Sequence, residues 1–310
     1  MNKPEKWTFD EFISSGLKNA VIWVIESVKS KVKERINYPN VQKDGVPPVG
    51  IEKIVVIGGG TLIDKAKYWR AENSPNSKLI AVPSIWGSGA ENSPVVVLNN
   101  GDGGKIIFKG NEYLPDIRVV WDELIKDIAP SLALYACGDV WAHALEGLFS
   151  PIANDEIREE TSNIINSILY LPLSCAGDWF EYSARACAAQ AAASVGVIHG
   201  IAHVIEETLK LKLDDPFIGH ARICSTYLWP VLSLMMKQTD KIDKLFSNYK
   251  IDKSLVIKEI KLLYDEEFYF KTMPVLEYRW QEVLKNPLTR INSFIIRQDY
   301  INYFKRGAFE

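Results

Sequence analysis

The chain holds only four histidines, and all of them sit in one compact pattern with an aspartate. Asp139 and His143 stand four apart in Gly138-Asp-Val-Trp-Ala-His-Ala-Leu-Glu146. His199 and His203 stand four apart in His199-Gly-Ile-Ala-His203, and His220 follows a short loop in Gly219-His-Ala-Arg222. A spacing of four places two side chains on one face of a helix, one turn apart, so the pattern demands helices in this part of the chain. Neutral imidazoles with one carboxylate form a ligand set for a divalent transition metal. A single histidine on an apolar face is more often a satisfied core residue, and an Asp-x-x-x-His pair is often a helix-surface hydrogen bond. The set as a whole, drawn from so few histidines, predicts a metal site.

A second signature lies upstream. Ile54-Val-Val-Ile57 is a short apolar run, Gly58-Gly-Gly60 follows it, and Thr61-Leu-Ile-Asp-Lys-Ala-Lys67 reads as a helix start. Strand, glycine turn and helix in that order present backbone N–H groups to a phosphate. The turn lacks the G-x-G-x-x-G spacing of the usual dinucleotide fingerprint, so alone it specifies little.

The two signatures, in this order, resemble the iron-containing alcohol dehydrogenase family, in the superfamily with glycerol dehydrogenase and dehydroquinate synthase. The resemblance runs from about Ile51 to Pro230. Gly58 to Lys67 resembles the family's G-G-G-S-x-x-D-x-A-K, and Pro83-Ser-Ile-Trp-Gly-Ser-Gly-Ala-Glu91 its P-T-T-A-G-T-G-S-E. Lys105, Pro115 and Asp122 follow the family's K…P…D stretch. Asp139 to Glu146 is similar to D-A-L-T-H-A-I-E, His199 to His203 to H-A-M-A-H, and His220 to the last H-G. Carried over residue by residue, the resemblance implies Asp139, His143, His199 and His220 as metal ligands and His203 as a non-ligating histidine near the nicotinamide; the pKa class of histidine suits His203 to relay a proton, the alternative being a further contact to the metal or a support behind its ligands. It implies Gly58, Gly59, Gly60, Thr61 and Asp64 at the pyrophosphate turn, and Ser84, Ser88 and Lys105 along the cofactor. The ion it implies is Fe²⁺, with Zn²⁺ or Mn²⁺ accepted in vitro, and the cofactor is NAD or NADP. The implied activity is hydride transfer between NAD(P)H and a small aldehyde or primary alcohol. Two alternatives stand beside it: a non-redox lyase or synthase of the dehydroquinate synthase type, and a reduced metal-binding member that has lost dinucleotide use.

The 310 residues are enough for two domains, expected as a nucleotide-binding α/β domain over 1–122 and a helical metal-binding domain over 123–310, with the site in a cleft between them. The first is expected to be a reduced Rossmann-like, mostly parallel sheet. A net charge of −3 gives no reason to expect a nucleic-acid partner. No apolar run is long enough for a membrane span, the N-terminus has no signal-peptide core, and Cys137, Cys175, Cys187 and Cys224 form no C-x-x-C pair; a cytoplasmic protein is expected. Strands are expected at 53–57, 79–82, 94–98, 105–109 and 117–120, with Asn99 to Gly104 closing a hairpin. Leu17, Val21, Val24, Val28, Val32 and Ile36 recur at helical spacing, which predicts one amphipathic helix over 10–36; a strand at 21–25 followed by a shorter helix is the alternative. Residues 37–50, with three prolines and two glycines, read as a loop.

The chain departs from the family pattern. About fifty residues precede the glycine turn, which predicts a missing strand-helix-strand unit and a sheet edge that a homodimer would cover. The Arg185–His199 segment and the C-terminal region look trimmed. Ala90 and Ala221 replace a serine and a glycine of the motifs. Trp86, Trp141 and Trp229 are either pocket walls or core, and Arg222 is either a partner for an anionic substrate group or a helix-end residue.

Overall fold

The computed structural model describes residues 3–36, 41–42, 47–101 and 103–309. Residues 37–40 and 43–46, most of the loop expected over 37–50, lie outside the described residues. The chain divides into two compact units that interleave along the sequence. The first takes Met1–Leu98, Ile106–Ala129 and Ser174–Ala188; the second takes Asn99–Lys105, Pro130–Leu173 and Ala189–Glu310. Residues 123–129 and 174–188 therefore group with the first unit, not beyond a single boundary at residue 122.

The first unit is built on a parallel sheet of strands β1 (Glu5–Thr8), β2 (Ala20–Val24), β3 (Val41–Gln42), β4 (Lys53–Gly58), β5 (Lys78–Pro83) and β8 (Ile117–Val120). Their order is β1-β8-β5-β4-β2-β3, and every pair is parallel. Parallel sheets are buried on both faces, which explains the unbroken apolar run at Ile54 to Ile57. Val55 and Ile57 face one core with Ile22, Val24, Ile80, Val82 and Trp121, while Ile54 and Val56 face another with Ile63, Ala66, Leu79 and Ala81. The strands β6 (Val95–Asn99) and β7 (Lys105–Lys109) pair as a separate two-stranded sheet.

The 10–36 helix is not formed. Residues 9–16 make a single helical turn running into a π-turn, Ala20–Val24 is β2, and only Lys29–Arg35 is helical (α1). The alternative, strand followed by shorter helix, is the structure adopted. Ala20-Val-Ile-Trp-Val24 is rich in β-branched and aromatic residues, and β4 pairs with it from Ala20↔Lys53 to Val24↔Ile57. Burial between neighbouring strands decided the element; the spacing of Val21, Val24, Val28 and Val32 fits a helix only by coincidence. The strand-helix-strand unit thought missing is therefore present in compact form as β2, α1 and β3. The sheet edge expected to be vacant is formed by β2 and β3.

The second unit is helical: α3 (Pro130–Phe149), α4 (Asp155–Ile168), the end of α5 (Ala176–Ala193), α6 (Val197–Lys212), α7 (His220–Gln238), α8 (Lys241–Asn248), α9 (Lys253–Leu262), α10 (Glu266–Lys285) and α11 (Tyr300–Arg306). Every residue of α3 from Ala136 to Phe149 is buried, as is α7 from Ile223 to Met235. A helix buried on all sides belongs at the centre of a bundle. Pro230 lies inside α7. Among the described residues no single helix is long and apolar enough to cross a membrane.

Candidate functional site

The glycine turn sits where β4 ends and α2 (Gly60–Asn73) begins. Gly59 is the N-cap residue, and no side chain caps the helix. The orphan N–H groups of a helix start suit an anion. The three glycines differ in what they do. A Cβ on Gly60 would fall 2.6 Å from Ser88 Oγ, so this glycine permits close packing. A Cβ on Gly59 would meet only Ile85 Cγ2 at an ordinary 3.5 Å. Gly58 offers its carbonyl to the Ser84 N–H at 3.0 Å. Thr61 is exposed, and Ser84 and Ser88 are half-buried beside the turn's strand ends.

Asp64, expected at the same turn, is turned inward. Its carboxylate accepts from Lys67 Nζ at 2.9 Å and from the Val97 N–H at 3.0 Å. Lys67 is fully buried and also donates to the carbonyls of Ala90 and Val95. Trp86 is core, stacked on Trp179 at 5.3 Å between ring centroids.

The second unit brings Asp139, His143, His199, His203 and His220 together. The Nε2 atoms of His143, His199 and His220 lie 3.9, 3.8 and 3.9 Å from Asp139 Oδ1. The His203 ring lies 5.0 Å from that of His220, tilted by 46°. The imidazoles are held from behind. Glu146 accepts from His199 Nδ1 at 2.6 Å and from the N–H groups of Gly196 and Ile198. Gln190 Oε1 stands 2.5 Å from His143 Nδ1. Fixing Nδ1 in this way orients Nε2 toward a shared centre, as ligating histidines require.

Three atoms in this cluster lack a partner: Asp139 Oδ1, His199 Nε2 and His203 Nδ1. Asp139 Oδ1 and His199 Nε2 are buried and make no hydrogen bond, and each residue is only 2% exposed. Orphaned buried polar atoms are costly, and a cation between them removes the penalty. Burial keeps the His199 and His203 imidazoles well below the usual histidine range, and burial with neighbouring His199 lowers His143 to about 3. Neutral rings are the ligating form. Burial pushes the Asp139 carboxyl up to about 8, a position that a cation alongside would reverse. The ligand atoms of Asp139, His199, His220 and Cys224 all lie within 4.8 Å of one another. His220, with 27% of its side chain exposed, is the most open of the histidines.

Lys105 groups with the helical unit. Its Nζ binds Asn99 Oδ1 at 2.6 Å and pairs with Glu206 at 3.0 Å and Glu207 at 3.5 Å, one turn along α6 from His203. Arg222 is a structural residue, pairing with Asp215 and Asp265 and lying over the Phe268 ring. Trp141 and Trp229 are buried. Sequence reasoning gave no role to Glu146, Gln190, Glu206 or Cys224. Three of them carried a signal: Glu146 is three residues after His143, Glu206 three after His203, and Cys224 four after His220, each on the face of its histidine. Gln190 is a lone amide in Ala188-Ala-Gln-Ala-Ala-Ala193.

Residues 46–122 match the family model for iron-containing alcohol dehydrogenase. No curated relative matches the chain by sequence. Among solved structures, the chain is similar to an iron-containing alcohol dehydrogenase from Thermococcus thioreducens, at 18% identity over 99% of this chain and 98% of that one, with a TM-score of 0.76. It is similar to an iron-containing alcohol dehydrogenase from Thermotoga maritima at 15% identity over 99% and 98%, TM-score 0.75. It is also similar to maleylacetate reductase from Agrobacterium tumefaciens at 15% identity over 100% and 98%, TM-score 0.76. The chain thus carries the signature of the iron-containing alcohol dehydrogenase family over residues 46–122 and the fold of these enzymes along its whole length.

Proposed function

We propose that the chain is a metal-dependent, NAD(P)-linked oxidoreductase that interconverts a small aldehyde and a primary alcohol. The observation that carries this reading is the pair of orphaned buried atoms, Asp139 Oδ1 and His199 Nε2, at the centre of a histidine cluster. Asp139, His199 and His220 would hold a divalent transition-metal ion; His143 is the fourth ligand that the family resemblance implies. When bound, the ion supplies Lewis-acid polarisation of a carbonyl or alcohol oxygen, and the nicotinamide supplies the hydride chemistry.

The chain's own residues do the rest. Glu146 and Gln190 fix the rings of His199 and His143, so the ligand set is preorganised. The N-terminal turn of α2 offers backbone N–H groups to a pyrophosphate, with Gly59 open on its outer side. His203 is the proton-handling residue. Burial keeps its ring neutral, and its Nδ1 has no hydrogen-bond partner. A neutral imidazole can take a proton at one nitrogen and release one from the other, so it passes protons without remaining charged.

Metal-loaded protein, mixed with NADH or NADPH and a panel of short aldehydes, should show a net fall in nicotinamide absorbance. A metal-loaded protein that binds the dinucleotide yet shows no net redox with any of them would point to the lyase or synthase reading.

A further inference from the structure

We infer that Cys224 enters the metal centre as a thiolate, in the place that His143 would take in a three-histidine set, making an Asp–His–His–Cys site that favours zinc or cobalt over iron. This rests on the metal-centre reading above and deepens it.

Four observations converge. Cys224 lies one turn after His220 on the same face of α7, and its Sγ stands 3.4 Å from His220 Nε2. In a tetrahedral site with metal–sulfur bonds of about 2.3 Å and metal–nitrogen bonds of about 2.0–2.1 Å, a sulfur and a nitrogen ligand are separated by about 3.6 Å. The observed spacing, a hydrogen-bond distance for this pair, also fits two ligands on one ion. The Cys224 Sγ also lies within 4.8 Å of the ligand atoms of Asp139, His199 and His220. His143 is outside that mutually close group. Finally, Asp139 Oδ1 and His199 Nε2 are buried, unpartnered, and belong to the same four.

The chemistry follows from softness and charge. Thiolate is a soft ligand that selects zinc and related ions, whereas a carboxylate with three imidazoles does not. Asp139 and Cys224 together bring two negative charges, which neutralise a divalent ion. Binding forms the sulfur–metal bond and releases the thiol proton to solvent.

Cobalt(II) is a direct probe because thiolate ligation gives a charge-transfer absorption in the near ultraviolet, separate from the visible bands of the ion. Protein stripped with a chelator and loaded with cobalt should show that absorption. Cys224→Ser should lose it while keeping visible bands, whereas Cys137→Ser and His143→Ala should keep it. In competition, Cys224→Ser should lose tenfold or more of its preference for zinc over iron. Cobalt uptake with visible bands but no charge-transfer absorption in the parent would overturn the thiolate assignment and leave the metal centre standing. Failure of the parent to take up cobalt at all would overturn both. The parent spectrum decides even if a variant fails to fold.

Discussion

The two candidate regions differ in what their own chain satisfies. At the glycine turn the buried charges are closed on themselves: Asp64 and Lys67 pair, and Lys67 fills its remaining donors with the carbonyls of Ala90 and Val95. In the helical unit, Asp139 Oδ1 and His199 Nε2 are left without partners. The first region offers a ligand the backbone N–H groups of the helix start, with Asp64 and Lys67 already paired. The second presents side chains whose burial makes sense with a cation among them. A site of the second kind declares itself in the unliganded fold, and a site of the first kind does not.

The largest expected effect breaks the first half of that contrast. Lys67→Met leaves the buried Asp64 carboxylate without its cation, and losing one partner of a buried pair costs about 3–5 kcal/mol. Denaturant unfolding should show this loss equally with and without metal. An effect that vanishes on metal loading would mean that the two regions are not independent.

Glu91 is an exception within the first region, and it sharpens the contrast. Burial raises its carboxyl from 4.5 to about 7, against the pull of Arg118 and Lys67. A raised folded-state value stabilises the fold below about 4.5, and that stabilisation is lost as pH rises toward 7. At about 1.4 kcal/mol per unit, the full span is on the order of 3 kcal/mol. Glu91→Gln should therefore gain on the parent as pH climbs from 4.5 to 7, read by unfolding at several pH values. Parallel stability curves for the two proteins would contradict it.

Smaller effects separate the glycines. Gly60→Ala places a methyl 2.6 Å from Ser88 Oγ and should cost roughly 1–3 kcal/mol as an overpacked contact. At Gly59 an added Cβ meets only Ile85 at contact distance, so Gly59→Val should change stability less than Gly60→Ala. It should nevertheless weaken NAD(P)H binding, because a side chain there blocks close approach to the backbone. A titration showing unchanged affinity would make this turn structural only.

How legible each region was follows from the same physics. The metal cluster was readable because helical spacing fixes which side chains share a face, and four histidines leave few other patterns. β4, β5 and the hairpin strands were readable from apolar runs punctuated by glycine and asparagine. β2 was not, because Val21, Val24, Val28 and Val32 satisfy a helical period while the strand's burial comes from β4, a neighbour more than thirty residues away. Asp64 shows a different limit: its motif match says where it sits along α2, whereas its direction is set by Lys67 and the Val97 N–H. Gln190 was invisible because its partner, His143, lies on another helix.

The most direct test of the metal centre is the metal content and melting temperature of the parent and His199→Ala, each stripped and then dialysed against one divalent ion. The parent should hold one ion per chain and melt at a higher temperature on loading, since a ligand at a hundred times its dissociation constant stabilises by about 2.7 kcal/mol. His199→Ala should hold little metal and show no such rise. Equal metal content and equal melting shifts in the two proteins would contradict it.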